Sequence, residues 1–96
     1  MIRHLENKEQ FNELIKDKVL VDFYAEWCGP CKMLAPNLEK LDYNILKVDV
    51  DKFQDLAISY GVMSVPTLIL FKGGKEINKS IGYLDIDELK EMVGNE

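Results

Sequence analysis

Residues 19–32 read Val19-Leu20-Val21-Asp22-Phe23-Tyr24-Ala25-Glu26-Trp27-Cys28-Gly29-Pro30-Cys31-Lys32. Apart from Asp22, the first seven are apolar and mostly β-branched or aromatic, which is the pattern of a buried strand. Glu26 and Trp27 close a turn. Beyond it, Leu34, Leu38 and Leu41 recur at helical spacing. Pro30 suits a first helical turn, where its missing N–H costs nothing. The stretch therefore predicts a strand, a turn and a helix. Both cysteines of the chain fall at the N-terminus of that helix.

That placement carries chemistry. A helix N-terminus presents free N–H donors and partial positive charge, which favour an anion. A cysteine there ionises more easily, and the thiolate is the reactive form. Cys28, at the very start, is expected to be the exposed, attacking thiolate; Lys32 either adds positive charge beside it or is a plain solvated lysine. Cys31, three residues on, lies on the same face of the first turn, so the pair can close a small disulfide. Gly29 leaves room for another chain to approach, and Trp27 offers substrates an apolar face beside the sulfur. The arrangement suits thiol–disulfide exchange: Cys28 attacks, a mixed disulfide forms, and Cys31 resolves it. Two plainer readings compete. A zinc site needs four ligands, and the chain has no further cysteine and a single histidine, His4. A purely structural disulfide closing so short a loop would stabilise the fold only weakly.

Ninety-six residues predict one domain, spanning 1–96. A 47% hydrophobic and 30% charged composition is ordinary for a soluble globule, and a net charge of −5 argues against nucleic acid as a partner. No run is long enough to span a membrane, and no apolar stretch follows a basic N-terminus, so no secretory signal is expected. Two close cysteines in such a chain point to a reducing compartment and a redox role.

Outward from the motif, Ile2-Arg3-His4-Leu5 predicts a short edge strand, with His4 a surface or strand-end residue. Asn7 caps a helix over Lys8 to Lys16 with Phe11, Leu14 and Ile15 inward. Pro36 is expected to kink the helix that carries the cysteines. Ile45 to Val50 alternates as a strand, parallel to the first because a helix connects them. Asp51 to Ser59 forms a helix stopped by Gly61. Thr67 to Phe71 is a buried strand, Lys72 to Lys75 a glycine hairpin turn, and Glu76 to Ile81 the partner strand. Asp85 caps a last helix over Ile86 to Val93. Asp22 interrupts an apolar strand, and Pro66 is a poor strand residue just before another. Read alone, each has a plain alternative: a solvent-facing side chain, and a simple strand start.

Trp27-Cys28-Gly29-Pro30-Cys31-Lys32 after an apolar strand holding an aspartate resembles the thioredoxin family, and the resemblance covers nearly the whole chain. It implies an α/β fold, the thioredoxin fold: a mixed central sheet of about four to five strands with helices on both faces. It also implies a buried Asp22 of raised pKa beneath Cys31, acting as its proton acceptor, with Lys47 beside it. It further implies a cis peptide between Val65 and Pro66 that leaves the Val65 backbone free to pair with an extended substrate. Gly82 matches a glycine that flattens the same surface. The implied docking surface is Trp27, Gly29, Pro30, Val65, Pro66 and Gly82. The implied function is a cytoplasmic, monomeric protein-disulfide reductase with no cofactor and no metal. A separate thioredoxin reductase would re-reduce it, because the chain lacks a nucleotide-binding glycine motif. The alternatives are a reductant dedicated to one client or one unusual reductase, and a non-redox binding module on the same fold. The Gly29-Pro30 spacer flanked by Trp27 and Lys32 disfavours a glutaredoxin. Two departures stand out. Tyr24 replaces a tryptophan common in the family, and the stretch between Cys31 and Lys47 is several residues shorter than is usual there.

Overall fold

Among the described residues, five strands form one sheet: β1 (Ile2–His4), β2 (Val19–Tyr24), β3 (Ile45–Asp49), β4 (Thr67–Lys72) and β5 (Lys75–Ile81). Their order across the sheet is β1-β3-β2-β4-β5. β1 and β2 both run parallel to β3, while β4 is antiparallel to β2 and β5 to β4. The α-helices are α1 (Phe11–Leu14), α2 (Gly29–Lys40), α3 (Gln54–Ser59) and α4 (Ile86–Val93). The structure, a computed structural model, describes residues 1–94; residues 95 and 96, which the one-domain expectation includes, lie outside the described residues. The mixed five-stranded sheet between helices is the arrangement that the resemblance implied.

Strand alternation builds the two halves of the core. Side chains of a strand point alternately to opposite faces. Val19, Val21 and Phe23 of β2 join Leu46 and Val48 of β3 and Ile69 and Phe71 of β4. Phe11, Ile15 and Ala57 cover that face. Leu20, Ile45, Leu68 and Leu70 point the other way and pack with Leu34 and Leu38 of α2 and Leu89, Met92 and Val93 of α4. Each fully buried large side chain contributes about 1.5–3 kcal/mol, so this sheet is held from both sides. By the same alternation Asp22 and Lys47 belong to the α2 face, with Leu20 and Ile45.

Some elements are shorter than the sequence predicts. Asn7 does cap a helix, its Oδ1 accepting from Gln10 N at 3.2 Å. That helix is a 3-10 turn over Lys8–Gln10 followed by the single α-turn of α1, not a run to Lys16. The Ile15 and Lys16 carbonyls instead accept the Gly74 and Gly73 N–H groups, at 2.8 and 3.0 Å, which ties this segment to the β4–β5 hairpin. Gly73 and Gly74 have φ of +61° and +81°, the left-handed values that a tight hairpin requires. Regular helix in the third connection begins at Gln54 rather than Asp51. The Asp49 carboxylate accepts from Asp51 N at 2.9 Å and the Asp49 carbonyl accepts from Phe53 N at 2.9 Å, so residues 49–53 form a turn. β1 stops at His4, and β2 at Tyr24. α2 continues through Pro36 to Lys40, and residues 41–44 alone connect it to β3.

α4 is capped as predicted. Asp85 Oδ1 accepts from Glu88 N at 2.8 Å, and Glu88 Oε1 accepts from Asp85 N at 3.0 Å. Asp85→Ala is expected to lower stability by about 1 kcal/mol, read as a reduced urea midpoint at unchanged slope. No helix among the described residues is long and apolar enough to cross a membrane.

Candidate functional site

The sheet register brings four connections to one end. β2 and β3 finish there, since Tyr24 pairs with Asp49. β4 starts there, since Thr67 pairs with Phe23, and β5 finishes there, since Ile81 pairs with Thr67. The segments at this end are residues 25–28, 50–53, 62–66 and 82–85. Trp27, Cys28, Val65, Pro66 and Gly82 belong to this end, and Gly29 and Pro30 open α2 beside them.

Cys28 is the N-cap of α2, and its sulfur accepts from the Cys31 N–H at 3.2 Å. Pro30 sits in the first helical turn. Cys28 and Cys31 are joined as a disulfide, with Cα atoms 5.2 Å apart. Cys28 Sγ lies 3.6 Å from the Val65 carbonyl oxygen. The Val65–Pro66 peptide is cis. Gly82 N–H donates to the Pro66 carbonyl at 2.8 Å, and its φ of +101° suits glycine. A side chain at Gly29 would meet nothing within 4 Å, so that position is open.

One expectation needs correcting. Cys28 is not an exposed residue: it is 3% accessible, against 4% for Cys31. Ala25, Cys28 and Cys31 pack into a small apolar cluster with Val65 against it. In the disulfide form, exposure does not separate the two sulfurs. What distinguishes them is position, Cys28 at the cap and Cys31 inside the first turn.

Asp22 is fully buried and sits beside Lys47 in the β2–β3 register. Lys47 Nζ lies 3.7 Å from Asp22 Oδ2, an ion pair beyond hydrogen-bond reach, and neither carboxylate oxygen has a hydrogen-bond partner. Desolvation pushes the Asp22 carboxyl up to about 6, and the Lys47 charge opposes the rise. A cleft of about 220 Å³ is lined by Lys47 and Cys31, with His4, Tyr24, Glu26 and Lys32 around them. It brings the second cysteine and the lysine of the ion pair to one cleft. Lys47 Nζ also stands 4.5 Å from the Tyr24 ring, and His4 meets the same ring edge-on at 6.2 Å. His4 is an exposed strand end, as expected, and Tyr24 supplies the aromatic face here.

The sequence reading missed Asp51. Trp27, 70% exposed, donates its Nε1–H to Asp51 Oδ2 at 2.9 Å. The partners are 24 residues apart, and only the parallel pairing of β2 with β3 joins their loops. An acid directly after the second parallel strand was the available signal. Asp51→Ala is expected to cost at most about 1 kcal/mol of stability. It is also expected to change the fluorescence of Trp27, the chain's one tryptophan. Among the described residues no group of three or more His, Cys, Asp or Glu could hold a metal ion.

Comparison with known proteins agrees with this geometry. The Thioredoxin family model matches residues 2–95. Thioredoxin from Mycoplasmoides gallisepticum is 42% identical over 99 residues, covering 96% of this chain and 99% of that protein. Thioredoxin from Chlamydia trachomatis is 45% identical over 98 residues, covering 97% and 96%. Among solved structures, a single-site mutant of a thioredoxin from Halobacterium salinarum superposes with a TM-score of 0.89 at 40% identity, covering 96% of this chain and 87% of that one. With a cysteine pair bridged at a helix N-terminus, a buried acid in the strand that leads to it and a match from residue 2 to residue 95, the chain belongs to the thioredoxin family of thiol–disulfide oxidoreductases.

Proposed function

We propose that the chain works as one domain that reduces disulfides in protein clients through Cys28 and Cys31. The carrying observation is the bridged pair at the start of α2, with the Cys28 sulfur receiving the Cys31 N–H. In the dithiol form that N–H and the free N–H groups of the first turn stabilise a Cys28 thiolate. The thiolate attacks one sulfur of the client disulfide, and the other client sulfur leaves as a thiolate. Cys31 then gives up its proton, and Asp22 accepts it through the cleft that Cys31 and Lys47 share. The Cys31 thiolate attacks Cys28 Sγ, releasing the second client thiolate. The client gains two electrons and the chain returns to its Cys28–Cys31 disulfide.

The docking surface is Trp27, Gly29, Pro30, Val65, Pro66 and Gly82, and an extended client segment lies across it. The dithiol carries the electrons, so no cofactor is required. A separate thioredoxin reductase restores the dithiol, and the setting is the reducing cytoplasm. The test is reduction of insulin by dithiothreitol, followed as turbidity from released chains. Marked acceleration supports the reading. No acceleration would favour a non-redox binding module on this fold.

The short connection after α2 bears on the reductase. At 1.5 Å per residue the 12 residues of α2 put its far end about 18 Å from the cysteines. Helix-dipole effects act within the first turn, so this truncation leaves Cys28 alone. A large protein partner contacts more surface than a small disulfide does. Insulin reduction with a chemical reductant is therefore expected to be normal, with weak turnover by a reductase from a standard full-length thioredoxin system. Efficient turnover by that foreign reductase would show that the truncation does not control recognition.

A further inference from the structure

Beside the Val65 carbonyl that faces Cys28, an open cleft of about 380 Å³ is lined by Trp27, Val50, Val62, Met63, Ser64 and Val65. Its lining holds no charged side chain, and the Trp27 N–H is already engaged by Asp51. Met63 is 95% accessible, more than any other large apolar residue described, and no step of disulfide exchange uses it. An exposed thioether at the rim of an apolar cleft has a chemistry of its own.

We propose that Met63 is a hydroperoxide modification site whose oxidation weakens docking of protein disulfides while sparing reaction with small ones. The proposal rests on the reading of this end of the sheet as the client surface. In the step, the Met63 sulfur attacks the terminal peroxide oxygen. The O–O bond breaks, an S–O bond forms, and two electrons pass from sulfur to the peroxide, which leaves as water or an alcohol after taking up a proton. The product is a polar, chiral sulfoxide. Docking of an apolar client segment would strip water from the new oxygen, and the apolar lining returns little hydrogen bonding.

The other methionines are placed differently. Met92 lies in the core against α2. The Met1 carbonyl accepts from Ile45 N at the start of β3, the end of the sheet opposite the cysteines. Met33 is 64% accessible on α2 and does not line the cleft. The site is therefore selected by accessibility and by its neighbours together.

The experiment treats the full chain, held as its Cys28–Cys31 disulfide to protect both sulfurs, with hydrogen peroxide. Catalase then removes the oxidant. Peptide mass mapping is expected to find one added oxygen on Met63 earlier than on Met33. With dithiothreitol as reductant, which opens the Cys28–Cys31 disulfide to the dithiol but leaves a sulfoxide in place, insulin reduction is expected to fall roughly fivefold relative to untreated protein. Reduction of the small disulfide 5,5′-dithiobis(2-nitrobenzoic acid) by protein pre-reduced and then freed of dithiothreitol is expected to stay near its untreated rate. The treated-to-untreated loss persists in Met33→Leu and disappears in Met63→Leu. Oxidation that reaches Met33 first, or an equal loss in Met63→Leu, overturns the proposal. Trp27→Ala separates the two levels of inference. If it slows insulin reduction but Met63 oxidation does not, only this proposal fails. If neither slows it, the docking reading fails as well.

Discussion

Cys28→Ser is expected to lower insulin reduction by at least about a thousandfold, because a serine hydroxyl at neutral pH supplies almost no nucleophile. Cys31→Ser is expected to fail differently. Its Cys28 still attacks, but nothing resolves the product, so a one-to-one mixed disulfide with the client accumulates and is seen intact by mass spectrometry. The asymmetry comes from the helix start. Cys28 is the N-cap, and its sulfur is the group that receives an N–H from the first turn. Cys31 lies inside that turn with its backbone N–H already donated. Burial does not distinguish them, since both are almost inaccessible as the disulfide. Alkylation of the reduced chain at mildly acidic pH decides the matter. Cys28 is expected to be labelled first, and faster labelling of Cys31 would reverse the assignment. The same trapped variant, used as bait in a native lysate, recovers the clients.

Asp22→Asn is expected to raise stability at neutral pH and to slow turnover there. The Asp22 carboxyl titrates near 6 in the fold against an ordinary value of 3.8. The raised value means that the fold binds the proton more tightly than the unfolded chain does. The stability linked to this group is therefore fully present below about pH 4 and is lost as pH rises through about 6. At 1.36 kcal/mol per pH unit, the loss amounts to about 3 kcal/mol by pH 7. Asp22→Asn keeps the shape and removes the titration. Its stability relative to the parent is expected to rise by about that amount between pH 4 and pH 7, measured by urea unfolding at each pH. Comparing the two pH values cancels any effect of the substitution that does not depend on pH. Turnover is expected to fall severalfold at pH 7, where the missing carboxylate would have taken the Cys31 proton. A flat stability gap across this range would mean that Asp22 does not titrate there. A stable variant with full activity would remove it from the proton path.

What could be read from the chain alone is what local rules control. The apolar run of residues 19–25 and the leucine spacing after Cys31 specify a strand and a helix, because periods of two and of 3.6 place side chains on single faces. Pro30 at a helix start, glycines in the β4–β5 turn and Asp85 three residues before Glu88 act over a few bonds, and each appears in the fold as read. The motif Trp27 to Lys32 therefore announced its own placement. Tertiary structure decided what depends on distant segments. The helix after Asn7 is cut short because the hairpin at Gly73 and Gly74 claims its last carbonyls, a contact between segments far apart in the chain. Asp22 and Lys47 become an ion pair only because β2 and β3 align in parallel register, and burial between that pair and α2 is what raises the carboxyl. Asp51 reaches Trp27, and Met63 comes to stand beside it, because antiparallel β4 starts where parallel β2 and β3 end. Loops that share no sequence neighbourhood share one end of a sheet, and strand direction alone puts them there.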